Sequence, residues 1–400
     1  MEYPKYVARI IDSLESEGYE AYIVGGSVRD MLLKKEPNDY DVTTSALPEE
    51  TLRIFSDMRT VPTGLKHGTV TVLSDGHPIE VTTFRIDGEY VDCRRPEKVS
   101  FTENVGADLS RRDFTVNAMA YSKKRGLIDL FCGKQDIQRR VIRAVGYPKL
   151  RFSEDALRIL RAFRFSAQLD FEIEKETLDA AKEMRDGLSH IAAERISAEF
   201  IRTICSNTPI TPLKLMSERG ILEFILGDYA PSDTQIEALT RAKTDAATRF
   251  GILLSGLEKD RLQNILHSLK LSNKLTSDIT RLALAVSEYL EGDAADARRF
   301  VGRFGDIAPL VLDAASALRR IDTEFYNFAS EAIEKKSCVS GDSLAVNGYD
   351  IVKLGVKGRE VGDLLSYLLE CVIEDPKLNE KETLLSIARE KLKNNGECNG

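Results

Sequence analysis

The stretch Tyr22-Ile23-Val24-Gly25-Gly26-Ser27-Val28-Arg29-Asp30, followed closely by Asn38-Asp39-Tyr40-Asp41-Val42, restricts this chain more than any other feature. Ala21 to Val24 has the apolar content of a buried strand, and Ser27 to Leu33 has the spacing of a short helix. The two glycines between them let the backbone come close to a ligand. The first N–H groups of the helix then face that ligand, an arrangement that suits a triphosphate. Side chains alternate with period two along a strand, so Asp39 and Asp41 are expected on one face of the next strand, where two carboxylates suit a hard cation such as Mg²⁺. A Gly-Gly turn or an Asp-x-Asp pair taken singly is commonplace. Joined in one strand–turn–helix–strand unit, they point to nucleotidyl transfer. A dinucleotide-binding oxidoreductase is disfavoured, because G-x-G-x-x-G is missing and the second glycine leads instead to Val28-Arg29-Asp30.

With 400 residues the chain can bury a sizeable core and is expected to divide into two or more domains. A hydrophobic content of 42% with 30% charged residues is that of a globular protein, and apolar stretches such as Ile307 to Leu318 are interrupted by charge, here Asp313. No membrane segment is expected, the N-terminus lacks a signal pattern, and a cytoplasmic location follows. Six cysteines lie scattered without metal-ligand spacing, so neither a disulfide framework nor a zinc site is favoured. The net charge of -8 argues against indiscriminate nucleic-acid binding but leaves room for a local basic stripe. Arg139, Arg140, Arg143, Lys149, Arg151, Arg158, Arg161 and Arg164 form such a run, interrupted by only two acids, Glu154 and Asp155; a solvated helix face would account for it equally.

The chain opens as mixed α and β. Val7, Ile10, Ile11 and Leu14 recur at helical spacing; Thr69 to Leu73 and Ile79 to Phe84 read as strands joined through Asp75-Gly76; Leu127 to Phe131 reads as a later strand. Beyond about Tyr147 the pattern becomes helical, with segments expected at Glu154 to Gln168, Lys175 to Arg185 and Ala192 to Ile204. Joints are expected near Pro148, at Ser206 to Pro209 and at Pro231 to Asp233.

Two further motifs carry chemistry. In Arg111-Arg112-Asp113-Phe114-Thr115-Val116-Asn117, the arginines offer donors to phosphate oxygens and Asn117 suits a ribose hydroxyl, although Asp113 could equally be the N-cap of an ordinary helix. In Arg151-Phe152-Ser153-Glu154-Asp155-Ala156-Leu157-Arg158, with Arg161 and Arg164 beyond, Asp155, Arg158 and Arg161 are expected on one helix face. An i,i+3 salt bridge is the plain interpretation. The sharper one is that a carboxylate accepts and a guanidinium donates, so an Asp–Arg pair matches the edge of cytosine or adenine and leaves uracil or guanine with unpaired groups.

These motifs, together with Lys66-His67-Gly68-Thr69-Val70 and Glu80-Val81-Thr82-Thr83-Phe84-Arg85, resemble those of the class II tRNA nucleotidyltransferases, specifically the bacterial CCA-adding enzymes that share ancestry with bacterial poly(A) polymerases. The resemblance runs on through Ser189-His190-Ile191 with Glu194-Arg195, Leu269 to Lys274, and Leu344 to Gly348. It implies an α+β fold: a nucleotidyltransferase head with a short mixed sheet at residues 1–142, a neck of templating and RNA-binding helices at 143–228, and an all-α, tRNA-binding body and tail at 229–400. It further implies that Asp39 and Asp41 bind Mg²⁺ and that Gly26 and Arg29 hold the triphosphate. Arg112, Asn117, Asp155, Arg158, Arg161 and Arg164 would contact the nucleotide, and Glu80 is a candidate third carboxylate. The implied activity is addition of CMP and AMP from CTP and ATP to the tRNA 3′ end, with no protein partner. The segment Asp87 to Pro96 resembles the loop that CC-only enzymes lack, which leaves CCA addition, A addition after a separate CC-adding enzyme, or poly(A) synthesis. No His-Asp doublet occurs among the four histidines, so the phosphohydrolase domain of some relatives is not expected.

Overall fold

A computed structural model of the chain describes residues 1–88 and 99–397, and falls into two compact units, Met1–Ala230 and Pro231–Gly400. The first unit opens with α1 (Lys5–Ser16), an amphipathic helix whose Val7, Ile10, Ile11 and Leu14 are buried. Strands β1 (Ala21–Val24), β2 (Asp41–Thr44), β3 (Thr60–Gly64), β4 (Thr69–Ser74) and β5 (His77–Thr83) follow. A ribbon pairs β6 (Arg85–Asp87) with β7 (Val99–Phe101), and β8 (Ala120–Ser122) and β9 (Gly126–Ile128) complete the seven-stranded sheet in the order β3-β4-β5-β2-β1-β8-β9. Only the β2–β5 pairing in that sheet is parallel, which makes it mixed, as expected. Asp75 and Gly76 join β4 to β5 with φ of 49° and 81°, the left-handed pair that a two-residue hairpin requires. Tyr22, Val24, Phe84, Leu109 and Ala120 form a core cluster. Helices α2 (Gly26–Leu32), α3 (Pro48–Ile54), α4 (Val105–Ser110) and α5 (Gly133–Arg139) complete this part.

From Pro148 the unit is helical: α6 (Pro148–Glu154), α7 (Leu157–Leu169), α8 (Lys175–Glu183), α9 (Ala193–Ile204), α10 (Ile210–Glu218) and α11 (Glu223–Leu226). A short parallel pair, β10 (Val141–Ile142) with β11 (Glu172–Ile173), connects the helices back to the sheet-bearing part. Three sequence expectations fail locally. Strand β2 begins at Asp41, so Asp39 lies in the connection before it and not within the strand. The helix expected from Glu154 to Gln168 is two helices, because Asp155 is extended, with φ of -144° and ψ of 103°. Asp113 caps no helix: α4 ends before it, and only one 3₁₀ turn, Thr115–Asn117, follows.

The second unit holds, among the described residues, helices α12 (Asp233–Ala238), α13 (Ala246–Leu253), α14 (Lys259–Ser268), α15 (Asn273–Ala285), α16 (Ala294–Phe304), α17 (Ala308–Ala317), α18 (Thr323–Glu334), α19 (Gly348–Val352), α20 (Arg359–Glu374) and α21 (Lys381–Glu397). Gly251 of α13 is required by close approach, since a Cβ there would fall 2.1 Å from the Leu282 side chain of α15. Val346, Ile351, Leu368, Val372 and Leu384 close a second core where α19, α20 and α21 meet. No described helix is long and apolar enough to cross a membrane.

Candidate active site

The parallel β2–β5 register places Asp41 beside Glu80, and the antiparallel β1–β2 register places Val24 beside Asp41. The Gly25-Gly26 turn that leaves β1 therefore begins next to two carboxylates. Gly25 holds φ of 77°, a conformation that L side chains rarely adopt, and its N–H donates to the Met119 carbonyl at 3.2 Å. A Cβ at Gly25 would also lie 3.1 Å from the Arg112 guanidinium, so Arg112 rests against the turn. Buried Asp108 fixes the pair of arginines, accepting from Arg111 Nη2 at 2.7 Å and from Arg112 Nη2 at 3.2 Å. Its carboxyl is lowered: burial would raise it, but Arg112 and Arg111 prevail. The Nε of Arg112 is buried and has no hydrogen-bond partner among the described residues.

Asp41 behaves in the opposite way. It presents surface to solvent yet is surrounded by protein, and this desolvation, reinforced by the Glu80 carboxylate and then by Asp39, raises its pKa to about 6 against the pull of Arg112. Glu80 and Asp39 thus act together on Asp41, and Arg112 opposes them. Among the described residues no group of three or more His, Cys, Asp or Glu side chains is gathered closely enough to hold a metal ion by itself.

Four of the sequence-predicted residues meet in one network. Arg29 donates through Nη1 to Asn117 Oδ1 at 2.7 Å and through Nε to Asp30 at 2.9 Å. Asn117 Nδ2 donates to Asp113 Oδ1 at 3.2 Å, and Asp113 Oδ2 accepts from Arg161 Nε at 2.8 Å and Nη2 at 2.6 Å. Arg161 also lies 3.8 Å from Glu199 of α9, whose carboxylate accepts from Arg164. One ring, Phe165, faces all three guanidinium groups, with Arg164, Arg161 and Arg29 at 3.9, 5.3 and 5.4 Å from its centroid. Burial would raise Asp113, but the Arg161 charge, the hydrogen bonds from Arg161 and Asn117, and the Arg158 charge bring it down to about 2. Arg164 is lowered by burial first and then by neighbouring Arg161, with Glu199 opposing. The guanidinium of Arg29 lies against Gly26, where a Cβ would meet its Nη2 at 3.5 Å, ordinary contact.

The expected Asp155–Arg158 pair is not formed. Arg158 is buried; its Nη1 donates to Glu154 at 2.6 Å and to the Arg151 carbonyl at 3.2 Å, and its Nη2 to the Arg111 carbonyl at 3.0 Å. Asp155, standing at the break between α6 and α7, accepts from the Leu157 N–H at 3.0 Å through Oδ1 and from Arg195 at 3.0 Å through Oδ2. The basic run is likewise committed internally: Arg140 bonds Asp170, Arg143 bonds Asp136 and the Phe131 carbonyl, and Arg151 bonds the Ser110 carbonyl and Glu154. Arg140, Arg143 and Arg151 thus act as clasps, while Arg139, Arg140 and Lys149 still present surface to solvent. Asp113, Phe165, Arg195 and Glu199 were missed as site residues. Asp113 and Arg195 lay inside quoted motifs, whereas nothing local in the sequence marks Glu199 or the ring of Phe165.

A Gly-Gly turn flanked by carboxylates on two neighbouring central strands of a mixed sheet, followed by helices clasped to it, defines a nucleotidyltransferase head with a helical extension. Residues 21–143 match the family model of the poly A polymerase head domain. Residues 170–232 match that of the probable RNA and SrmB-binding site of polymerase A, and 241–388 that of tRNA nucleotidyltransferase domain 2. The CCA-adding enzyme of Limosilactobacillus fermentum is 38% identical over 392 residues, covering 96% of each chain. That of Bacillus cereus is 35% identical over 398 residues, 96% of this chain and 98% of that one. Among solved structures, the Bacillus stearothermophilus CCA-adding enzyme in complex with CTP superposes with a TM-score of 0.84 at 30% identity, over 99% of this chain and all of that one. The chain belongs to the CCA-adding enzyme family of tRNA nucleotidyltransferases and is an enzyme of that class.

Proposed function

We propose that this chain adds CMP and AMP from CTP and ATP to the 3′ end of tRNA without a nucleic-acid template, completing or repairing the CCA terminus in the cytoplasm. The observation that carries this is the Asp41–Glu80 strand pair beside the Gly25-Gly26 turn and Arg112, in a chain whose relatives over nearly its full length are CCA-adding enzymes. Carboxylates are hard oxygen donors, and Asp41, whose proton affinity is raised, fits a divalent cation that keeps water or phosphate in its remaining positions. Asp39 and Asp41 would hold Mg²⁺, with Glu80 available as a third carboxylate. When bound, Mg²⁺ supplies charge stabilisation at the attacking and leaving oxygens.

The chain's own residues do the rest. The tRNA 3′-hydroxyl oxygen attacks the α-phosphorus, the bond to the bridging oxygen breaks, pyrophosphate leaves and the hydroxyl proton passes to solvent. Gly26 allows the triphosphate to approach the first N–H groups of α2, while Arg29 and Arg112 provide cationic donors to its oxygens. Asn117 bonds a ribose hydroxyl, Arg161 and Arg164 maintain positive potential behind it, and Asp155 with Arg158 reads the base edge. Arg158 engages a base by releasing one of its carbonyl partners. We assign residues 1–142 to the catalytic head, 143–228 to the templating neck, and 229–400 to tRNA binding. The segment Asp87–Pro96, proposed to govern terminal A addition, reaches into residues 89–98, outside the described residues.

Transcripts lacking CCA, ending in C, or ending in CC, each supplied with CTP, ATP or both, test this assignment on a sequencing gel. Full CCA ends from the first transcript are expected. An enzyme that extends only the CC transcript by one A would be A-adding, and a ladder of A residues would be a poly(A) polymerase.

A further inference from the structure

We propose that Asp108 is a positioning residue for the incoming triphosphate, dividing two neighbouring arginines so that Arg111 is held as a clamp and Arg112 is aimed at the Gly25-Gly26 turn. This rests on the assignment of Arg112 as a triphosphate donor and extends it to a carboxylate with no exposed surface of its own. One oxygen of Asp108, Oδ1, accepts from both Nε and Nη2 of Arg111, at 3.0 and 2.7 Å, so that guanidinium is taken side-on. The other, Oδ2, accepts a single bond from Arg112 Nη2 at 3.2 Å. Nη1 of the same Arg112 fork lies 3.1 Å from the place a Cβ on Gly25 would occupy. Arg111 is committed a second time through its carbonyl, which accepts from Arg158 Nη2 at 3.0 Å. The two arginines therefore share one carboxylate and do different things with it.

An ordinary helical ion pair does not account for this arrangement. Arg111 and Arg112 follow Asp108 by three and four residues at the C-terminal end of α4, where spacing and dipole favour acid–base pairs for a small gain on an exposed helix. Here the carboxylate is withdrawn from water, which is unfavourable for a charge unless its partners answer it. Arg111 answers it with two donors. Arg112 does so with one, and its Nε is buried without a hydrogen-bond partner among the described residues, a cost that a pair built for stability alone would not carry. The incomplete bonding of Arg112 suits a guanidinium kept for a ligand, and the glycine it rests against leaves that approach free of a side chain.

The test measures equilibrium binding of CTP, pyrophosphate and CMP, in Mg²⁺, by Asp108→Asn, Arg112→Met and the Asp108→Asn/Arg112→Met double variant. Asp108→Asn should weaken CTP and pyrophosphate about tenfold and leave CMP within about twofold, because CMP lacks the terminal phosphates that Arg112 meets. The KM for CTP and ATP should rise by the same factor, with selectivity for CTP over UTP as in the parent protein. The double variant should bind CTP no more weakly than Arg112→Met alone, because Asp108 acts through Arg112. If Arg112→Met binds CTP and pyrophosphate as the parent protein does, the triphosphate assignment is overturned and this proposal with it. Three results overturn the role of Asp108 only: a loss in Arg112→Met without one in Asp108→Asn, an equal loss of CTP and CMP in Asp108→Asn, or a further loss in the double variant. If Asp108→Asn melts well below the parent protein, Asp108→Glu, which keeps the charge and displaces the fork, decides by the same ratio of CTP to CMP affinity.

Discussion

The Asp41–Glu80 edge and the Asp113–Arg161 network lie in the same unit and treat a carboxylate in opposite ways. Asp113 is buried and fully answered by an arginine fork, an asparagine and a backbone N–H, and its pKa falls to about 2. Asp41 faces Glu80 and Asp39 with Arg112 as the opposing cation, and its pKa rises to about 6. One carboxylate has its counter-charge built into the protein, whereas the other retains affinity for a counter-charge from outside. The first arrangement holds elements together; the second is costly to the fold and is the kind of site where the proposed chemistry would sit.

The largest effect that could break this comparison is on turnover. Asp41→Asn should lower incorporation of both CTP and ATP at least about a thousandfold, roughly 4 kcal/mol of barrier, with tRNA binding retained. Single-turnover rates in Mg²⁺ within tenfold of the parent protein would remove Asp41 from the site. Next comes Asp113→Asn, which strands the Arg161 guanidinium and should cost on the order of 3 kcal/mol in denaturant unfolding. The sign for Asp113 itself follows from its lowered pKa: its stabilisation is complete above the ordinary carboxylate range and is lost as pH falls toward about 2.

A smaller effect is expected at Phe165. Phe165→Leu removes the ring that faces Arg29, Arg161 and Arg164, and should raise the KM for CTP and ATP alike by about fivefold, near 1 kcal/mol, with Phe165→Tyr close to the parent protein. A Leu variant with unaltered KM would reduce the ring to simple packing. The mildest prediction is a pH profile. Asp41 must be ionised to hold a cation, so activity should decline as pH falls through about 6, and Glu80→Gln should move that limb to lower pH. The raised pKa also means that ionising Asp41 opposes folding: stability present below the ordinary carboxylate range is lost as pH rises through about 6. Asp41→Asn should therefore gain a few tenths of a kcal/mol at neutral pH in EDTA, on the order expected for a solvent-screened charge.

Legibility in the sequence followed range. Strand Ala21–Val24, the Asp75-Gly76 hairpin and helix α9 were readable because period and glycine are local signals. The break at Asp155 was hidden, since Glu154 to Gln168 keeps helical spacing across it, and it is tertiary contact from Arg195 and Gly187 that accompanies the extended residue. The site types were legible in their motifs, but their partners were not. An i,i+3 rule pairs Asp155 with Arg158, whereas the actual partner of Asp155 lies forty residues away on α9, and Arg161 bonds Asp113 at a separation of 48. Asp39 falls outside the strand expected to carry it, because β2 starts at Asp41, directly after buried Tyr40.

The parallel β2–β5 pairing has a consequence for the order of folding. In the sheet, β5 lies between β4 and β2, so Asp41 and Glu80 become neighbours only through the β2–β5 pairing, which is longer-range than the β4–β5 hairpin. Local hairpin closure is fast, and the longer loop closure that follows is entropically costlier and slower. A nascent chain that has emerged only as far as β4 carries the phosphate-binding turn and both Asp39 and Asp41, but has no completed carboxylate edge. The Asp41–Glu80 pair is therefore completed only when the hairpin joins β2.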